Sequence, residues 1–431
     1  MSSAYSEPTS PAGKWVSPAR VTVTTKDVGK ELRRLRRAAG ETQAQLADII
    51  GVSRANLTQW ETGKYLPSSR NAQQLDDHFE AENALVKLAE AARAPHGNLS
   101  PVAVVSPVVD TAGSLLEVFG RVGRSLEQHL IRDERGRALG WRHNLQKDSG
   151  QTALATAYGI SAMSVVGDPY IDLHSAAENL YAMRTRHGWQ GRSGGRRPET
   201  TAAVIDALFQ VSTLLSADDG LAHLEHSLDD FSRTRPFLLS SALRTAVRLR
   251  PDAPLTLGLV DDLLSTRLDF DGILLWPEKN ERGLVAPEPS TVHTARAVVA
   301  LREALRNGAE RTDVREAVEQ ATQWLIDRTH PDDGVSEELI REKPGEPGTT
   351  RIVIRHFTSA WVVLALVDAP LVPLARLQRA LGPLWARYEP SLGLWAWGSG
   401  DLPIWMTLDA VTALRAAALA LVAAPVRPPG E

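Results

Sequence analysis

The chain has 431 residues, too many for one core of ordinary size, so at least two domains are expected. It has no cysteine, which excludes disulfide frameworks and thiolate metal sites, and neither a signal peptide nor a membrane span is read from it. A soluble, cytoplasmic protein is expected. The formal net charge of −4 is unevenly spread: residues 19–70 hold ten Lys and Arg against five Asp and Glu, and everything past residue 70 sums to −9.

Residues 1–24 are polar and read as a disordered tail. A first helix then places Val28, Leu32 and Leu35 on one stripe, with Lys30, Arg33, Arg34, Arg36 and Arg37 over its other faces. Thr42 caps a second helix, and Gln45, three residues on, completes a capping box; Leu46, Ala47 and Ile50 form its buried side. Gly51 supplies the left-handed turn between crossed helices. Ser53 is placed to cap a third helix that buries Leu57 and Trp60 and leaves Arg54, Ala55, Thr58 and Gln59 outward. Such a short polar face suits a major groove. The plain alternative is a small bundle whose Arg-rich helix is only solvated.

These residues resemble the Cro/repressor type of helix-turn-helix, often called XRE. Gln43, the Gly51-Val52-Ser53 turn and the Trp60-Glu61-Thr62-Gly63-Lys64 ending follow that pattern. The resemblance covers about a sixth of the chain. It implies double-stranded DNA as partner, with Arg54, Ala55, Thr58 and Gln59 facing bases, Gln43, Asn56 and Lys64 near phosphates, Ser53 at the contact edge, and Glu61 structural, paired to an arginine of the first helix. One recognition helix reads few base pairs, so two half-sites and a homodimer or partner protein are expected.

Leu75, Phe79, Leu85 and Leu88 indicate one or two further helices, giving a DNA-binding domain over 25–93 and a linker at 94–104. From 105 to 425 nearly every pattern is helical, and 426–431 reads as a flexible end. A loose unit recurs: a helix, a loop with Gly and Trp, then a Thr-rich start to an Ala/Leu helix. Trp141 leads to Gln151, Trp189 to Thr200, Trp276 to Ser290, Gly334-Val335 to His356, and Trp395 to Met406, with a weaker sixth unit near Leu239. Six helical hairpins close a circle more naturally than they continue a superhelix. The expected fold is therefore all-α, a helix-turn-helix domain joined to an α/α toroid of helical-hairpin repeats. The repeats weakly resemble the toroid of terpenoid cyclases and protein prenyltransferase β subunits.

That resemblance implies a central cavity. The prenyltransferase zinc set needs a Cys, and the cyclase D-x-D-D motif is absent, so no catalytic residue is assigned. His223 and His226 lack an adjacent zinc-protease pattern, and no metal or cofactor is expected. Candidate cavity residues are Trp276, His293, Arg355, His356, Trp361, Trp395, Trp397 and Asp409, for a small apolar ligand with an anionic or polar head, or else a protein partner. Residues 342–356 break the helical pattern: a Gly/Pro turn precedes Thr-Arg-Ile-Val-Ile-Arg, which reads as a strand in a flap or a surface insertion. The functional expectation is a transcriptional regulator without catalysis. A cyclase-like enzyme with a regulatory head and a protein-interaction scaffold in a defence or toxin-control system are the alternatives.

Overall fold

The computed structural model describes residues 24–52, 54–64, 66–67, 69–79, 81, 84–93, 112–167, 172–186, 188–190, 195–279, 288–308, 310–327, 336–342, 348–367, 369, 372, 374–397 and 400–423. Ser53, the linker 94–104, the C-terminal 426–431 and all but Thr24 of the expected tail lie outside these. So does the Gly334-Val335 turn. The chain divides into two compact units, 1–99 and 100–431.

The first unit holds α1 (Thr25–Ala38), α2 (Gln43–Ile50), α3 (Arg54–Glu61), α4 (Ser69–Phe79) and α5 (Ala84–Arg93). The expected capping box is present: Gln45 N–H donates to Thr42 Oγ1 at 3.2 Å and Thr42 N–H to Gln45 Oε1 at 2.8 Å. Gly51 ends α2 at φ 73°, a conformation that a side chain would strain. Leu32, Leu46, Ala47, Ile50, Leu57, Trp60, Leu75 and Leu85 make one core. Buried Asp76 of α4 accepts from the N–H groups of Leu85 and Val86 at 2.9 and 2.8 Å, satisfying orphan donors at the start of α5.

The second unit is a ring. Its inner helices are α7 (Ala153–Val166), α9 (Pro198–Val211), α11 (Pro236–Leu249), α13 (Thr291–Arg306), α15 (Thr358–Val367) and α17 (Ile404–Ala423). Each packs on the next, and α17 packs back on α7, so six hairpins close. The outer layer is α6 (Ala112–Gln128), α8 (Leu173–Ala182), α10 (Ala217–Ser227), α12 (Pro254–Ser265), α14 (Thr312–Asp327) and α16 (Leu374–Ala386). All six expected inner helices form, including the weak one near Leu239. Backbone bonds from Leu145 N to Leu402 O (2.9 Å) and from Ile404 N to His143 O (3.1 Å) clasp the seam.

The Gly/Trp turns explain the repeat. Trp141, Trp189, Trp276 and Trp395 are fully buried, and each indole N–H donates to the carbonyl of Leu126, Leu180, Leu263 or Leu384 at 2.7, 2.8, 2.8 and 2.9 Å. In every case that carbonyl belongs to the third residue from the end of the preceding outer helix, one of the acceptors no intrahelical donor reaches. A short antiparallel pair precedes three of these tryptophans: β1 (Ile131–Arg132) with β2 (Ala138–Gly140), β3 (Leu268–Phe270) with β4 (Ile273–Leu275), and β7 (Tyr388–Glu389) with β8 (Leu394–Trp395).

A longer hairpin joins α14 to α15. β5 (Ser336–Glu342) pairs with β6 (Thr349–Arg355) over seven rungs, from Ser336 opposite Arg355 to Glu342 opposite Thr349. The Thr-Arg-Ile-Val-Ile-Arg segment is thus a strand. Its partner β5 was not foreseen, because Ser-Glu-Glu-Leu-Ile-Arg-Glu carries little β-branched character.

The close approach of α7 to the first tryptophan gives a test. A Cβ on Gly159 would lie 2.2 Å from Trp141 Cε3, and the indole is pinned by its hydrogen bond. Gly159→Ala is expected to cost about 1–3 kcal/mol, as overpacked cores do. Chemical denaturation followed by tryptophan fluorescence reads it; an unchanged midpoint would show that the wedge yields freely.

Candidate nucleic-acid interface and axial cavity

The third helix is set by one buried carboxylate. Glu61, 3% exposed at the end of α3, takes Arg36 Nε at 2.5 Å, Gln43 Nε2 at 2.9 Å and the more distant Arg33 Nε at 3.5 Å. Arg33 Nη2 also donates to the Glu61 carbonyl at 2.9 Å. Burial opposes the charge, but hydrogen bonds from Arg36 and Gln43 hold the Glu61 carboxyl below the usual range. The expected pairing of Glu61 with the first helix is therefore present. Lys30 lies 3.6 Å from Asp27 and Arg34 2.6 Å from Glu31, so much of the α1 charge is paired within the unit instead of spread over free faces.

Elsewhere on α3, Arg54 and Asn56 are exposed and Thr58 and Gln59 half-buried; Lys64 beyond the helix is exposed. Gln43 is not free for phosphate alone: its amide group serves Glu61, and its carbonyl accepts from Thr58 Oγ1 at 3.3 Å. Ala55 lies on the same helix, though its side chain, like all of Ser53, is outside the described set.

The ring axis holds two cavities, of ≈ 580 and ≈ 470 Å³. Tyr158, Glu199, Phe237, Arg296 and Asp409 line both, forming a belt between them. With Trp361, which lines the second, each inner helix gives the belt one side chain within its first six residues. Arg296 lies over the Trp361 ring at 3.7 Å and the Phe237 ring at 4.8 Å, and Trp361 Nε1 donates to Asp409 Oδ2 at 2.9 Å. Burial pulls the Arg296 guanidinium down to about 10, with Asp409 opposing. Burial likewise pushes the Asp409 carboxyl up to about 6 against the pull of Arg296 and the Trp361 hydrogen bond. Tyr158 is raised by burial and then by Asp409.

The first cavity is rimmed by Asn144, Lys147, Asp401 and Trp405 and walled by Ile352, Val353, Ile354 and Arg355 of β6. The hairpin is thus part of the cavity wall. The second cavity runs to a paired cluster in which Arg248 meets Asp206 at 3.0 Å and Glu303 at 2.6 Å.

Behind the wall, His293, Glu337 and His356 converge, all at 0% exposure. Glu337 Oε1 is 3.1 Å from His356 Nε2 and 3.4 Å from His293 Nε2; its other oxygen takes Arg235 Nη1 at 3.2 Å. Burial draws the His356 imidazole down to about 4, with the Glu337 hydrogen bond opposing.

Of the eight residues expected at the cavity, the structure brings Arg355, Trp361 and Asp409 to it. Trp397 stands beside it, 5.6 Å from the ring of Trp405. Trp276 and Trp395 are corrections: they close helix ends inside the wall, because a tryptophan at a repeat turn buries most area by wedging two hairpins. His293 and His356 do meet, but within the wall cluster rather than on the cavity lining. Tyr158, Glu199, Phe237 and Arg296 were missed. Their signal is one bulky or charged residue near the start of an otherwise Ala/Leu-rich helix.

Residues 27–89 match the family model described as a helix-turn-helix domain. No curated protein matches the chain. Among solved structures, an inactive variant of the GH76A alpha-1,6-mannanase of Salegentibacter sp. HEL1_6, in complex with alpha-1,6-mannotetrose, aligns with TM-score 0.49 and 12% identity over 71% of this chain and 99% of that one. A protein from Actinoplanes aligns with TM-score 0.46 and 18% identity over 70% of this chain and 99% of that one. Of what the terpenoid-cyclase resemblance implied, the structure shows the helical ring.

Asp409 gives a pH test. Its folded value of about 6 lies above the ordinary 3.8, so its stabilising contribution is full below 3.8 and is lost as pH rises through 6. In thermal denaturation, the stability of the wild type relative to Asp409→Asn is expected to fall between about pH 4 and pH 6 and to stay level above. A difference that is constant across that window would put the carboxyl in water.

Proposed function

We propose that the chain is a sequence-specific, DNA-binding transcriptional regulator whose α/α ring holds a small ligand on its axis and performs no chemistry. The observation that carries this reading is the joining, in one chain, of a helix-turn-helix domain whose third helix carries Arg54, Asn56, Thr58 and Gln59 to a ring with a ligand-sized cavity. Arg54, Ala55, Thr58 and Gln59 face bases; Gln43, Ser53, Asn56 and Lys64 lie along the backbone of the duplex. A homodimer supplies two half-sites, and the cytoplasm is the site of action.

The cavity favours a small organic molecule with a planar apolar part and a polar or anionic head. Phe237 and Trp405 line the first cavity and Phe237 and Trp361 the second, and Arg296, which lines both, offers a desolvated cation only partly balanced by Asp409. Such a ligand shifts DNA affinity only by its difference in affinity between two states of the protein.

A second reading, an enzyme, draws on Asp409. A carboxyl whose burial raises it to about 6, in the same cavity as a second carboxylate, Glu199, is the kind of pair that acid-assisted hydrolysis of a glycosidic bond uses. Pairing of Glu199 with buried Arg197 argues for a structural role instead.

Two measurements decide. Selection of bound genomic fragments, followed by salt-controlled titration, is expected to show Arg54→Ala losing about 1–3 kcal/mol per lost bidentate contact on the selected site while nonspecific binding is kept. Equal or no loss on both DNAs would remove Arg54 from the reading face. Native mass spectrometry of protein taken from cells is expected to show a small-molecule adduct that Arg296→Met abolishes; turnover of glycosides by wild type and not by Asp409→Asn would favour the enzyme.

A further inference from the structure

The cluster behind the cavity wall has the makings of a metal centre, and this inference does not depend on the DNA-binding reading. Among the described residues, it is the one place where three His, Cys, Asp or Glu side chains converge closely enough to share an ion. The donors come from separate elements: His293 from the first turn of α13, Glu337 from the start of β5, and His356 from the residue after β6.

Both separations from the carboxylate are close to those of a coordination polyhedron. An ion bound by nitrogen and oxygen at about 2.0–2.1 Å in tetrahedral geometry separates its ligands by about 3.3–3.4 Å. Glu337 Oε1 lies 3.1 Å from His356 Nε2 and 3.4 Å from His293 Nε2, and all three donor atoms fall within 4.8 Å of one another.

The surroundings have the form of an outer shell. The far nitrogen of His293 is 2.6 Å from Ser290 Oγ, which fixes that ring, and Arg235 holds the second oxygen of Glu337. Arg235 already neutralises the carboxylate. Two imidazoles aimed through the same nitrogen at the same oxygen are therefore more than a buried anion needs, and the His356 ring is otherwise held by packing on His293 at 5.0 Å and Phe237 at 5.2 Å. Glu278, half-buried on the segment between β4 and α13 and in electrostatic contact with Glu337 and His293, is the carboxylate placed to balance a dication.

We propose that His293, Glu337 and His356 bind one divalent transition-metal ion of the zinc class, which staples both ends of the β5–β6 hairpin to inner helix α13. Two imidazoles and one carboxylate select such an ion over magnesium or calcium, which prefer all-oxygen sets. The staple sits one turn ahead of Arg296, so it fixes the cavity wall against the belt.

The test uses the full-length protein after chelator treatment. Calorimetry with Zn²⁺ alone is expected to show one equivalent bound, and Co²⁺ to give the visible ligand-field band of a tetrahedral site. His356→Ala and Glu337→Gln are expected to weaken binding about a hundredfold or more, and Ser290→Ala, which removes the partner of the far nitrogen of His293 together with the N-cap of α13, about 10- to 100-fold. X-ray absorption on the metal-loaded wild type reads the ligand set without any variant and is expected to find two imidazoles. Absence of the Co²⁺ band, a ligand set without two imidazoles, or binding that His356→Ala leaves intact, as at the His78–Glu41 pair of the first unit, would each overturn the proposal.

Discussion

Ring closure is the constraint on which the second unit rests. The first and last inner helices meet across the seam, where Asn144 Nδ2 donates to Asp401 Oδ1 at 2.9 Å and Lys147 reaches the same carboxylate at 3.1 Å. The joined residues are 257 apart in sequence. Loop-closure entropy grows only logarithmically with that separation, yet it opposes contacts that form before the intervening repeats are in place. The cavity inherits this dependence. Tyr158 belongs to the first inner helix and Asp409 to the last, so the belt exists only in the closed ring.

Much of this was legible because its causes are local. Capping boxes, a turn glycine and helical spacing are read within a few residues, and the helix-turn-helix and all six inner helices were found that way. The tryptophan turns were legible as a repeat but not as a role. A tryptophan beside an inner-helix start satisfies the same pattern whether it lines a cavity or closes the preceding helix, and only the acceptor, nine to fifteen residues back, distinguishes the two. The belt was legible at two of its six positions: Trp361 and Asp409 stood out, whereas Arg296 reads as a solvated helix residue until its neighbours are known. The wall cluster was invisible as a unit, since Glu337 is 44 residues from His293 and 19 from His356, on a strand that the sequence did not announce.

Glu61 plays for the first unit the part that closure plays for the second. One carboxylate ties α1 through Arg33 and Arg36, α2 through Gln43, and α3 through its own position, so the outward face of α3 is fixed from behind. Removing one partner of so buried a group leaves charge unpaired, which costs far more than the pair contributes in place. Because the arginines serve this network, the positive charge of α1 is less a DNA-attracting surface than the composition implied.

The axial charges bear on why the ring has a cavity at all. Buried ion pairs are weak stabilisers, because desolvation offsets attraction, and a ring built for stability alone would fill its axis with leucine. Here Arg197 meets Glu199, Arg235 meets Glu337, and Arg302 is held by the Ala365 carbonyl at 2.7 Å and Thr322 at 2.9 Å. Each of those groups has a close partner, although Glu199 Oε2 and Arg235 Nε, like Arg296 Nε, have no hydrogen-bond partner among the described groups. Arg296 and Asp409 differ in that burial moves each toward its neutral form. A buried donor left unmet costs about 1–3 kcal/mol, so a polar guest that reached Arg296 Nε would remove an existing penalty on entering. Any ligand that met this donor would stabilise the ring by linkage, so its binding and the thermal stability of the second unit would rise together.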